Sequence, residues 1–414
     1  MPRNLASSLL RTQYTIAIMS ESFTISGYVK PEFEAVREAF IENFERRDEL
    51  GAACCIYYKG EKVVDLWGGI RDEATGELWE EDTMVLVWST TKGLSALAMA
   101  LAHSRGLFEY DAPVAKYWPE FAQQGKDKIT VRQLFAHQAG LYAFKELGDK
   151  DIITDLDRLA VVLASQKPSW EPGTRHGYHG LTLGFYQSEL LRRVDPKGRS
   201  LGQFFQDEIA APLGIDFYIR LPEVIPNSRL APLREMTFGL SAMRSVPISF
   251  ILTVMNPRSA ARRALMGTEF CLDKKRIYAR NYEVPSGGGV GTARGIANTY
   301  GVFAAGGQEL GLRKETLTEL MKPPISPSRG LRDEVLKVNS RYSLGFAKPD
   351  PEEPFGSPSS FGMMGTGGSF GFADPQYELG FGYVLNGVGT SFPLDPRAVA
   401  LYKAMHHSLG ISNL

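Results

Sequence analysis

Hydrophobic residues recur along this chain with two periods, one helical and one extended. Phe33, Val36, Phe40 and Phe44 stand three and four residues apart behind Pro31, which suits a first helical turn, and predict an amphipathic helix over 31–47. The runs AACCIYY and KVVDLWGG flank Lys59, Gly60 and Glu61 and predict a β-hairpin closed at a glycine. An apolar approach, MVLVW, leads through STTKG into LSALAMALAHSRG. There Leu94, Leu97 and Leu101 share a helical face, and Gly106 supplies a stop.

From about 110 to 285 the pattern changes to helical segments and proline-bearing loops. TVRQLFAHQAG predicts a helix capped by Thr130 and ended at Gly140, and LTLGFYQSELLRRV predicts another. Beyond 285, PSGGGVGTARGIANTYGVFAAGG predicts a glycine-rich turn feeding a helix, SLGFA and GFGYVLNG read as strands, and Asp395 with Pro396 opens a last helix through LYKAMHHSL. Strands thus gather at both ends, with helices between. The expected class is α/β (α+β): a mixed, mainly antiparallel sheet from both chain ends, flanked by helices, with an inserted helical lobe. The expected boundaries are a flexible leader over 1–24, an α/β domain from 25–110 and 286–414, and a helical domain over 111–285. Its stretch 220–285, rich in Phe, Met, Leu and Arg, is read as a wall or lid.

Composition narrows the function classes. The 414 residues, 43% hydrophobic and 22% charged, suffice for a sizeable core in one large domain or two closely joined ones. Net charge is −1 with scattered basic residues, which excludes the positive footprint that a nucleic-acid partner requires. Cys54, Cys55 and Cys271 form no disulfide framework and point to a reducing, cytoplasmic compartment; Cys54 and Cys55 read as small strand hydrophobes. Arg3 and Arg11 without any acid in the first twenty residues resemble a transit peptide, but Arg11 and Gln13 interrupt a secretory apolar region. No apolar run approaches membrane-spanning length, so a soluble chain without a membrane partner is expected, with a homo-oligomer left open.

The chemistry-bearing candidates begin with Ser89 and Lys92. A separation of three at a helix start puts both side chains on one face, so hydroxyl and amine can meet. A serine hydroxyl needs a base, and a lysine desolvated by apolar neighbours such as VLVW and LSALAMALA loses its proton more readily. Free N–H groups at the helix start favour an oxyanion beside the serine. Lys92 is the only lysine of the chain with a serine three positions earlier. The bland alternative is a surface helix start with a capping serine and a solvated lysine.

WSTTKG, together with HQAGLY at 137–142, PGTRHGYHG at 172–180 and FGMMGTGGSFGFADP at 361–375, resembles the serine β-lactamase-related superfamily, and within it the esterases similar to class C β-lactamases, the family VIII carboxylesterases. The likeness runs from about residue 25 onward, with its motifs widely separated and in order. It implies a serine β-lactamase/DD-peptidase-like fold, Ser89 as nucleophile, Lys92 as its activating partner and Tyr178 in proton transfer. It also implies an oxyanion hole from the N–H groups of Ser89 and Thr366, with Tyr142, Met363 and Gly365 lining the substrate site. By elementary chemistry a tyrosine serves this way only as a phenolate or as one link of a proton relay; a neighbouring ammonium would help, and Lys92 is its natural source.

Two departures bear on substrate. The second motif of class C enzymes is YxN, whereas Tyr178, His179 and Gly180 stand here, without the amide that grips a β-lactam side chain. The third motif begins with Lys or His, whereas Met363 stands here, and a thioether does not bind a carboxylate. The expectation is therefore a serine carboxylesterase acting on short to medium neutral esters through an acyl-enzyme, without cofactor. A β-lactamase or DD-peptidase-like amide hydrolase is the alternative, and a non-catalytic scaffold the alternative of another class.

Other features compete. Gly367, Gly368, Ser369, Phe370 and Gly371 spell the nucleophile elbow GxSxG, with Asp395, His406 and His407 following in order. An elbow needs strand, turn and helix, but the text after Ser369 reads as turn and strand. His176 and His179 lack the companions of a metal site, and the glycines of 287–291 lack those of a phosphate loop.

Overall fold

The computed structural model of the chain describes residues 18–19, 23–144, 150–234, 256, 258–265, 271–352, 354–391 and 394–411. One ten-stranded sheet draws on both chain ends. Its N-terminal strands are β1 (Ile18–Met19), β2 (Thr24–Val29), β3 (Gly51–Tyr58), β4 (Glu61–Asp72) and β5 (Glu77–Leu78). Its C-terminal strands are β6 (Tyr342–Ser343), β7 (Phe346–Ala347), β8 (Phe361–Met364), β9 (Phe370–Asp374) and β10 (Leu379–Leu385). The order is β1-β2-β4-β3-β10-β9-β8-β7-β6, with β5 beside β4, and every pairing is antiparallel. The two ends meet where β10 pairs residue for residue with β3, from Leu379 opposite Tyr58 to Leu385 opposite Ala52. The β3–β4 hairpin turns at Lys59 and Gly60, both at positive φ (51° and 74°), the twist that matches a two-residue hairpin.

Among the described residues the α-helices of five residues or more are α1 (Glu34–Arg46), α2 (Thr90–Ser104), α3 (Val131–Phe135), α4 (Leu156–Ser165), α5 (Thr182–Val194), α6 (Leu201–Phe205), α7 (Ala260–Leu265), α8 (Ala293–Ala304), α9 (Lys314–Met321) and α10 (Pro396–Ser408). One face of the sheet is covered by α1 and α10, where Val36, Phe40, Phe372, Phe381 and Leu401 share a core. The other is covered by α8, which lies so close on β10 that a Cβ at Gly380 would stand 2.2 Å from the Gly301 nitrogen. Helix α2 is buried along its whole length, as its apolar and small residues on every side require. The described residues between α2 and α8 form helices and loops with short strands at Phe217–Tyr218, Leu272–Asp273, Ile277–Tyr278 and Val290–Gly291. Of these, Phe217–Tyr218 pairs with Val290–Gly291, which also pairs with Val85–Leu86 and so ties the MVLVW approach to the glycine-rich segment.

Three expectations change. Thr130 caps α3 in a reciprocal capping box with Gln133, yet the helix ends at Phe135 rather than at Gly140, because His137 takes a left-handed φ of 60°. SLGFA is not one strand but the turn between β6 and β7, with Leu344 and Gly345 both at positive φ. Ile18 and Met19, placed in the leader by sequence, pair with Ile25 and Thr24; the rest of 1–22 lies outside the described residues. So does much of the predicted wall or lid, at 235–255, 257 and 266–270.

Candidate active site

Ser89 is the residue before α2, and its side chain caps nothing, which leaves the hydroxyl free for other partners. Trp88 immediately before it has φ 45°, a strained conformation for a bulky residue and of the kind that clusters at functional sites. Lys92 follows one helical turn later with no exposed surface. Its Nζ lies 3.1 Å from Ser89 Oγ, 2.6 Å from the Gly180 carbonyl and 2.7 Å from the Ser286 carbonyl. Burial drives its pKa well below the ordinary 10.5. A neutral amine has two N–H groups and one lone pair. The two carbonyls match its N–H groups and leave the lone pair for Ser89 Oγ, whereas an ammonium would donate to all three oxygens.

The loop before α5 brings Tyr178 to the same place. Its hydroxyl hydrogen-bonds the Ser89 side chain, and Lys92 Nζ stands 4.7 Å from its ring centroid. Burial raises the phenol well above its usual value, more than the Ser89 hydrogen bond lowers it. Of the two forms weighed from sequence, phenolate or relay link, burial favours the neutral phenol that a relay uses.

The Tyr178 loop is held by groups that carry no sequence signature. Its backbone N–H donates to Asp333 Oδ1 and Oδ2 at 3.2 and 3.0 Å. Asp333 is fully buried and also accepts from the N–H groups of Val335 and Leu336. His179 accepts from the Leu141 N–H through Nε2 and donates through Nδ1 to the Gly177 carbonyl, while its own N–H donates to His137 Nδ1. Burial pushes His179 down to about 3 and His137 well below its ordinary value, so both rings are neutral brackets. His176 bonds the Leu331 carbonyl and Ser340. Among the described residues no group of three His, Cys, Asp or Glu side chains is placed to hold a metal ion.

The remaining candidates divide. Gly180 lends its carbonyl to Lys92, and a Cβ there would stand 2.4 Å from the Ala264 carbonyl of α7, so the place of the YxN amide is taken by a helix. Met363 on β8 is 1% exposed and packs toward Gly93 of α2, so it is a buried wall rather than an open contact surface. Gly365 opens the β8–β9 turn, in which Thr366 is exposed. Neither Thr366 N–H nor Ser89 N–H donates to a backbone group among the described residues. Tyr142 stacks on Trp170 at 5.6 Å and 12°, beneath Arg263, and both rings line a cleft of about 440 Å³ with Arg175, Arg329, Glu334 and Lys337 on its rim. Tyr142, Tyr178, Tyr342, Ala261 and Ala264 belong to one small apolar cluster, while Ser89, Lys92 and Tyr178 are not among the residues that line that cleft.

The elbow reading of Ser369 does not survive. Ser369 is 3% exposed and leads directly into strand β9, and its hydroxyl donates to the Val87 carbonyl. Asp395 is engaged by Arg397, and His406 lies on the opposite face of the sheet beside Tyr402. The glycine-rich segment holds no phosphate-loop geometry either. Its Pro285 carbonyl accepts from Ser95, its Ser286 Oγ accepts from the Gly184 N–H, and its Gly289 N–H donates to Thr91, which sets the Ser286 carbonyl over Lys92.

Comparison with known proteins gives the family. The beta-lactamase family model matches residues 36–404. The esterase/beta-lactamase LipL of Mycobacterium tuberculosis is 32% identical over 379 residues, covering 87% of this chain and 83% of the relative. A family VIII carboxylesterase crystal structure matches with TM-score 0.78 at 36% identity, over 93% of this chain and 99% of the other. EstA from Arthrobacter nitroguajacolicus matches with TM-score 0.79 at 32% identity, over 95% and 99%. A match from the first turn of α1 to the last turns of α10, on a sheet that both ends of the chain must complete, places this chain in the beta-lactamase family.

Proposed function

We propose that this protein is a serine carboxylesterase that hydrolyses short to medium neutral esters through an acyl-enzyme on Ser89. The observation that carries the reading is the set of Lys92 contacts: two carbonyls fix the amine, and its remaining direction meets Ser89 Oγ at 3.1 Å. In the first step Lys92 accepts the Ser89 proton as Oγ bonds to the ester carbonyl carbon, and the oxyanion is received by the N–H groups of Ser89 and Thr366. Collapse breaks the bond to the alcohol oxygen, and Tyr178 delivers the proton that the departing alkoxide takes up, replenished from Lys92. Water repeats the sequence on the acyl-enzyme and frees the acid. No step calls for a cofactor.

Ester rather than β-lactam substrates are favoured by Met363 and Gly180, which put a thioether and a helix contact where carboxylate and amide recognition would sit. The names of relatives divide: LipL is an esterase/beta-lactamase, Esterase EstB of Burkholderia gladioli is 29% identical over 193 residues, 42% of this chain and 48% of the relative, and a beta-lactamase of Escherichia coli is 26% identical over 179 residues, 43% and 46%. The first of those names also favours a second reading, slow β-lactam opening by the same serine. Ser89, Lys92 and Thr366 fall in 25–110 and 286–414 and Tyr178 in 111–285, so the chemistry lies at the seam of the two expected domains. No helix among the described residues is long and apolar enough to cross a membrane, and buried free cysteines suit a cytoplasmic location.

The deciding experiment compares wild type and Ser89→Ala on short and long p-nitrophenyl esters beside a chromogenic cephalosporin. Ester turnover should vanish in the variant and fall with chain length in the wild type. Full esterase activity in Ser89→Ala would refute the reading, and cephalosporin turnover exceeding ester turnover would refute the substrate assignment.

A further inference from the structure

Ser369, the false elbow, sits where the two segments bearing the proposed oxyanion donors touch. Its hydroxyl donates to the Val87 carbonyl at 2.8 Å, and because that proton is committed, Thr90 Oγ1 at 3.0 Å is the donor to Ser369 Oγ. Val87 and Thr90 bracket Trp88 and Ser89. The Ser369 carbonyl accepts from the Gly365 N–H at 2.7 Å, and the Gly365 carbonyl from the Gly368 N–H at 3.2 Å, so the same residue closes the turn that carries Thr366. A Cβ on Gly365 would stand 2.2 Å from both Ser369 Oγ and the Val87 carbonyl oxygen. The two backbones therefore approach as closely as a single hydroxyl permits, and that hydroxyl is buried.

We propose that Ser369 is a positioning residue that clamps the Thr366 turn to the start of α2 and so sets the separation of the Ser89 and Thr366 N–H groups. It rests on the acyl-enzyme reading above. The physical consequence is specific. An oxyanion hole works because its donors are fixed before charge develops, so loosening the clamp weakens the transition state and leaves ground-state ester binding nearly unchanged. The hydroxyl is not a nucleophile here, since its proton is held by a backbone carbonyl and no base adjoins it.

The test is Ser369→Ala, assayed on a short p-nitrophenyl ester and by the rate of covalent labelling with a fluorophosphonate, whose phosphoryl oxygen occupies the same hole. The expected result is a kcat lower by about tenfold with KM within about twofold, a parallel fall in labelling rate, and the label still on the Ser89 peptide. An unchanged kcat in the folded variant overturns the proposal, as does a label on Ser369 in the wild type. If Ser369→Ala does not fold, Ser369→Cys keeps the side-chain shape with a weaker donor; wild-type kcat in that variant overturns the proposal and a lowered kcat at constant KM supports it. Ser89→Ala runs beside them: turnover retained there defeats the acyl-enzyme reading itself, whereas turnover lost there and kept in Ser369→Ala defeats the clamp alone.

Discussion

Replacing Lys92 with methionine tests the neutral-base chemistry through stability as well as rate. The substitution keeps an unbranched side chain of similar length in the slot but removes the amine, leaving the Gly180 and Ser286 carbonyls without that donor. Each buried carbonyl stripped of its partner costs about 1–3 kcal/mol at any pH. The pH-dependent part comes from the proton. Burial holds Lys92 well below 10.5 in the folded protein, whereas the unfolded chain returns it to about that value. Between the two pKa values the unfolded state binds more protons than the folded state, so wild-type stability rises with pH there, and Lys92→Met lacks this rise. The wild-type minus variant difference should climb by up to about 1.36 kcal/mol per pH unit below 10.5 and level off above it. Urea unfolding of both proteins at several values between about pH 7 and about pH 10 measures it. In parallel, wild-type kcat/KM should fall as pH drops through the lowered Lys92 pKa, and Lys92→Met should lose about 10²- to 10⁴-fold in kcat, about 3–5 kcal/mol of barrier. A stability difference that stays flat over that range means that the fold holds an ammonium, and Lys92 is then not the resting base.

Tyr178→Phe keeps the ring between His137 and Tyr342 and removes only the hydroxyl, so kcat should drop about 10²-fold or more with a melting temperature close to wild type; unchanged kcat would remove Tyr178 from the relay. Gly180→Asn restores the YxN spelling but drives a side chain into the Ala264 carbonyl, and is expected to lose about 1–3 kcal/mol without gaining cephalosporin turnover, read by urea melts and a chromogenic assay. Lys126, fully buried, donates to the carbonyls of Gln123, Ala164 and Gln166 and so closes the end of α4. Lys126→Met should cost about 3–5 kcal/mol in unfolding free energy while the folded fraction keeps wild-type kcat.

The chain by itself determined the elements and the two residues closest together along it. Apolar spacing located α1, the β3–β4 hairpin and α2, because burying one face of a helix or strand imposes a period that shows in any such sequence, and the Asp395–Pro396 start located α10. Ser89 and Lys92 were legible for the same local reason: a spacing of three at a helix start brings two side chains together whatever the rest of the fold does. Tyr178 and Thr366, far away in sequence, became legible only through motif resemblance; the loop before α5 brings Tyr178 to Ser89, and the turn that carries Thr366 is tied to the start of α2 through Ser369. Tertiary structure alone decided the rest. The Ser286 and Gly180 carbonyls that hold Lys92 belong to every residue type and leave no trace in sequence, and Asp333 is one acid among many until its backbone partners surround it. Ser369 spelled a nucleophile elbow and became a buried tie, because a hydroxyl's role is set by which carbonyl or base lies within 3 Å of it, and that distance is a property of packing rather than of spelling.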